Sequence, residues 1–123
     1  MQILLAEHHL SLAKPLLRGL QEEGFQADLA RDDAEANQQI HSTPYAALLV
    51  NWKLPRLGAL PLVRTWRESG LLIPIFLLIS SPSQEEIRQG LDAGANGFLP
   101  VPFPFSELLA LLRQPVLSPP GKG

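Results

Sequence analysis

Short, nearly uninterrupted apolar runs alternate five times with segments whose apolar residues recur every three or four positions. Ile3-Leu4-Leu5-Ala6, Tyr45 to Val50 and Pro74 to Ile79 are too short for core helices and too apolar for one-sided strands. They read as strands buried on both faces. Phe25 to Ala30 alternates as a strand does, and Phe98 to Val101 makes a short fifth one. Between them, Leu10, Ala13, Leu16, Leu17 and Leu20 predict a helix to about Glu23, stopped by Gly24. Asp32 or Asp33 can cap a second helix to about His41. Leu60 to Glu68 is a third, closed by Gly70. Ser83 with Glu86 forms a capping box opening a fourth, to about Ala93. The stretch Gly94 to Gly97 is a turn, and Ser106 to Arg113 is the last helix, possible from Pro104 onward.

Five strand–helix units in this order imply an α/β fold, a doubly wound five-stranded parallel sheet covered on both faces. Right-handed crossovers leave only a few topologies. In such sheets ligands meet the carboxyl ends of the strands. That rule singles out the loops Glu7-His8-His9, Asn51-Trp52, Ile79-Ser80-Ser81 and Val101-Pro102. The domain is expected to span 1–113, with 114–123 a Pro-rich linker or disordered tail.

The chain has 123 residues, suited to one domain, and 46% of them are hydrophobic, enough for a core. A net charge of -2 supplies no basic field for nucleic acid. Without cysteine there is no disulfide, thiolate nucleophile or Cys-ligated zinc. The amino terminus lacks the basic start of a signal peptide, and no apolar run is long enough to span a membrane. A cytoplasmic location is expected. Ser80-Ser81 lack a nucleophile elbow, and the glycines form no phosphate-binding loop, so no enzyme is expected.

Five segments resemble one family in order and at consistent spacing. They are Ile3 to His8, Tyr45 to Pro55, Gly90-Leu91-Asp92-Ala93-Gly94-Ala95, Phe98 to Phe103, and Glu107-Leu108-Leu109-Ala110. Together they resemble the receiver domain of two-component response regulators, nearest the winged-helix transcription-factor branch. The resemblance implies a flavodoxin-like (βα)5 fold with strand order 2-1-3-4-5, and a cis bond at Val101-Pro102.

The same resemblance locates the functional positions, and most are changed. Family members hold magnesium with two acidic residues after the first strand and the phosphoacceptor Asp. Here Glu7 is kept, His8 replaces the second carboxylate, and Asn51 occupies the phosphoacceptor position. Magnesium prefers oxygen ligands, and a neutral amide does not attack phosphorus. The hydroxyl position falls on Ile79, with Ser80 next, the lysine position on Val101, and the switch aromatic on Phe98. This degenerate pocket implies a pseudo-receiver that acts by protein–protein interaction without phosphorylation. The alternatives are phosphorylation on an unusual residue, Glu7 first, or binding of a small apolar ligand in the altered pocket. No cofactor is expected. Glu7, His8 and His9 suggest a metal, but adjacent side chains usually point apart, so none is expected there. The interaction surface implied by the family is the fourth helix, fifth strand and fifth helix. On it Glu85 and Glu107 stay acidic, Ile87 and Leu111 replace basic residues, and Asn96 replaces an acidic one. Association with a protein partner or a second copy is expected through Ile87, Phe98 and Leu111; packing of Leu111 under the tail is the competing reading.

Overall fold

The computed structural model describes residues 1–113; the expected tail at 114–123 lies outside the described residues. Strands β1 (Gln2–Ala6), β2 (Gln26–Ala30), β3 (Ala47–Asn51), β4 (Ile75–Ile79) and β5 (Gly97–Pro100) alternate with helices α1 (Leu10–Glu22), α2 (Asp33–Ser42), α3 (Ala59–Glu68), α4 (Gln84–Ala93) and α5 (Phe105–Arg113). All pairings are parallel and the order is β2-β1-β3-β4-β5, as the resemblance implies.

Strand side chains alternate between two cores. Leu4, Ala6, Leu48, Val50, Ile75 and Leu77 face Trp66 and Val63 of α3 and Ala36 of α2. Ile3, Leu5, Leu49, Phe76 and Leu78 face Leu16 and Leu20 of α1 and Leu108 of α5. This two-sided burial explains why the central strands read as continuous apolar runs.

The helix starts follow local chemistry. Asp32, not Asp33, caps α2: its carboxylate accepts from the Glu35 amide at 2.8 Å. Asp33 is buried inside the first turn and accepts from Arg56 Nε at 2.9 Å and Nη2 at 3.0 Å. Arg56 therefore holds the Asp33 carboxyl below its ordinary value. Ser83 and Glu86 complete the expected capping box at α4. The last strand begins at Gly97, not Phe98, and ends before Val101. Although outside the strand, Val101 still donates its amide to the Ile79 carbonyl at 2.8 Å.

One buried group escaped the sequence reading. Arg67 is 5% exposed and has no carboxylate partner among the described residues. Its guanidinium donates to the carbonyls of Gly94 at 2.9 Å and of Leu71 and Ile73 at 2.8 Å, and to Asn96 Oδ1 at 2.8 Å. Burial pulls its pKa below the usual arginine value. Gly94 is essential to this contact, since its φ is +117° and a Cβ there would come 2.5 Å from Arg67 Cγ.

Candidate functional site

Parallel strands that all run the same way put β1, β3, β4 and β5 tips, and the loops after them, at one edge. A cavity of about 310 Å³ opens there, lined by His9, Leu12, Asn51, Trp52, Lys53, Leu78, Ile79, Ser80, Glu86 and Val101. Asn51, Ile79, Ser80 and Val101 are thus brought together as expected. The Val101-Pro102 bond is cis.

Glu7 joins this site through Asn51, and His8 adjoins Glu7. Neither lines the cavity; His9 does. Glu7 is fully buried. Its Oε2 accepts from Asn51 Nδ2, and its Oε1 accepts from the His9 backbone amide at 2.9 Å. Asn51 Oδ1 in turn accepts from the Lys53 amide at 2.7 Å. The amide at the phosphoacceptor position is therefore committed at both ends, with its donor facing the site's carboxylate.

The resemblance implies magnesium at this place, and the donor set does not fit that ion. One carboxylate is present where three would gather, and it already accepts from Asn51 and His9. The remaining nearby donors are an amide and imidazole nitrogens, which suit magnesium poorly.

Lys53 corrects the sequence reading in one respect. The position matching the family's lysine is Val101, but exposed Lys53 reaches the cavity rim from the β3 loop. Glu86, the capping-box acid, lines the same cavity and accepts from the Ser83 amide at 2.9 Å. Ile79 and Val101 leave the wall between them apolar. Leu12, Lys53 and Glu86 were not singled out for this site because their convergence depends on helix packing and loop direction, whereas Trp52 follows Asn51 in a loop already placed at this edge.

The surface expected for association is also altered by packing. Asn96 is turned inward, where its Oδ1 accepts from both Arg67 and the Ile75 amide. It is a structural bracket between β4 and β5. Glu85 finds its basic partner on its own helix: Arg88 Nε donates to it at 3.0 Å, and Arg88 Nη1 donates to Asp92 at 2.7 Å. That pairing holds the Glu85 carboxyl below its ordinary value. Ile87, Phe98 and Leu111 are each half-buried. Leu111 packs on the core beneath α5. Phe98 packs on the opposite core, 6.1 Å from the Trp52 ring, over Gly90, where any Cβ would collide with it. A groove of about 260 Å³ remains between Phe98, Pro100, Glu107, Ala110 and Leu111.

A five-stranded parallel sheet in this order, with Glu7 and Asn51 at its carboxyl edge, defines a flavodoxin-like domain. Residues 3–113 match the response regulator receiver domain, and the chain belongs to that family. It is 38% identical over 113 residues to the response regulator MprA of Mycobacterium avium, covering 92% of this chain and 50% of that protein. It is 36% identical over 113 residues to MprA of Mycobacterium leprae, with the same coverage. The chain thus spans about half the length of these curated relatives. A putative response regulator from Chloroflexus aurantiacus superimposes with a TM-score of 0.86 at 27% identity, covering 91% of this chain and 93% of that one. The Francisella response regulator 1452 receiver domain gives 0.85 at 25% identity, covering 90% and 92%. Among the described residues no helix is long and apolar enough to cross a membrane.

Proposed function

We propose that this receiver domain regulates by association and does not accept a phosphoryl group. The observation that carries the reading is the state of Asn51. Its amide donates to buried Glu7 and its carbonyl accepts from Lys53, so a neutral, occupied group stands where a nucleophilic carboxylate is needed. The apolar wall of Ile79 and Val101 supports it, because a dianionic group placed there is desolvated with only rim-exposed Lys53 to offset it. The family resemblance implies that the readout is transcriptional regulation through a partner or a linked module.

Incubation with magnesium and a small-molecule phosphodonor, followed by intact-mass measurement, tests this. No adduct is expected, and none after Asn51→Asp alone, because Ile79 and Val101 stay unchanged. A phosphoryl adduct on the unaltered chain refutes the proposal, and its position by peptide mapping identifies Glu7 or another acceptor.

Association is assigned to the groove beside α5, between Glu107, Ala110 and Phe98. Exposed Ala110 is the clean probe there, since Leu111→Glu would also disturb the core. Ala110→Glu is expected to reduce the mass seen by light scattering, or to release a protein partner; retained assembly would move the interface elsewhere. A second reading rests on the cavity itself. At about 310 Å³ it falls at the lower end of small-ligand pockets, and its Leu12, Trp52, Ile79 and Val101 walls suit an apolar or aromatic guest.

A further inference from the structure

Glu7, His8 and His9 converge although they are consecutive in sequence. The chain turns out of β1 so sharply that both imidazoles fold back over one carboxylate oxygen. His9 Nδ1 lies 3.2 Å and His8 Nδ1 3.6 Å from Glu7 Oε1. One ligand atom from each residue lies within 4.8 Å of one from each of the others. The two ring centroids are 3.8 Å apart, with the ring planes inclined at 41°.

A second, independent feature is the state of His8. Its Nδ1 is shielded from solvent and has no hydrogen-bond partner among the described residues. A buried polar atom of this kind is costly and calls for an explanation. At 3.6 Å the Glu7 oxygen is too far to be its hydrogen-bond partner. It is at the right distance to share a metal ion with it. Two ligand atoms bound tetrahedrally to zinc at about 2.0–2.2 Å stand roughly 3.3–3.6 Å apart. The separations of 3.2 and 3.6 Å lie near the two ends of that range, and the shorter one is spanned by a hydrogen bond that the ion would replace.

We propose that Glu7, His8 and His9 form a site for a borderline divalent transition metal, of which zinc is the type. The donor set decides the class: two imidazoles and one carboxylate favour zinc and its neighbours over magnesium. Asn51 acts as a positioning residue. By holding Glu7 Oε2 it turns Oε1 toward the histidines, as outer-shell partners of ligating carboxylates do. The side lined by His9 opens on the cavity, which leaves a path for the ion and for a solvent ligand. This replaces the expectation that the two histidines diverge. It holds whether or not the domain accepts phosphoryl groups.

Isothermal titration of the whole chain with zinc chloride, and separately with magnesium chloride, tests the site. One zinc per chain and no magnesium heat are expected. His8→Ala and His9→Ala should each abolish uptake, and Asn51→Ala should weaken it by about tenfold. His41→Ala, remote on α2, should leave it unchanged. Circular dichroism checks that each variant is folded. Should the loop variants unfold, zinc should still protect His8 and His9, and not His41, from histidine acylation in the unaltered chain. No zinc uptake, equal magnesium uptake, uptake persisting in the folded double variant, or unprotected His8 and His9 would each overturn the proposal.

Discussion

Asn51→Asp is the substitution that would restore the family's acceptor, and the structure says it should damage this protein. In the native chain the Asn51 amide donates to a carboxylate that is fully buried. The substitution removes a donor to a charged group, a loss of about 1.5–3 kcal/mol. It also faces one carboxylate with another. The repulsion has a ceiling, because at pH 7 one proton can be captured at about 1.4 kcal/mol per unit above the ordinary carboxylate pKa near 4, or about 4 kcal/mol. A captured proton restores a hydrogen bond, so the two terms do not add. Asn51 is half-buried beside an open cavity, and solvent screening lowers the figure further. About 2–3 kcal/mol of destabilisation at pH 7 is therefore expected, a drop in Tm of roughly 8–12 °C for a domain of this size.

The pH dependence carries the stronger test. The variant's folded state binds an extra proton that its unfolded state releases above about pH 4. The penalty should be small at pH 4 and grow as pH rises toward neutrality. Urea unfolding at several pH values, with chelator present to exclude metal, measures it. A variant as stable as the parent at pH 7, or a penalty that does not change between pH 4 and 7, would refute the claim that Asn51 acts as the donor holding Glu7.

Arg67→Met should cost about 3 kcal/mol, since it leaves buried carbonyls and Asn96 Oδ1 short of a donor; denaturant titration checks it, and a loss under 1 kcal/mol would make the guanidinium dispensable. Tyr45 is the chain's single tyrosine, and burial first, then its hydrogen bond to Asp28 at 2.7 Å, push its hydroxyl up to about 12. A raised folded pKa contributes stability that is full below the unfolded value near 10 and fades as pH rises toward 12. Phenolate absorbance should show no titration at pH 10 while the chain is folded, and Tyr45→Phe should flatten the alkaline stability profile. Because Arg56 lowers the Asp33 pKa, that pair contributes stability above the unfolded carboxylate value that is lost as acid is added. Arg56→Ala should remove that acid-dependent part of the unfolding free energy, read by urea titration between about pH 2 and pH 5.

Hydrophobic period determined the α/β class with its parallel sheet, and the family resemblance added the strand order. A run such as Ile75–Ile79 has no polar face to give to water, so it requires cover on both sides, and only a parallel α/β sheet supplies it. That arrangement collects the loops after β1, β3, β4 and β5 at one edge, which is why Asn51, Ile79, Ser80 and Val101 could be grouped before any coordinates. Side-chain direction was decided only by the tertiary structure. Whether Asn96 faces solvent depends on Arg67, twenty-nine residues away, arriving beneath it. Whether Leu111 is open depends on how α5 lies on the sheet, and whether Lys53 lines the cavity depends on the path of the loop after β3. The same holds for His8 and His9: consecutive residues diverge in a strand, and only the turn out of β1 points both rings at Glu7. Periodicity records which face of an element is buried, whereas these contacts depend on the path of the backbone between elements, which no local pattern encodes.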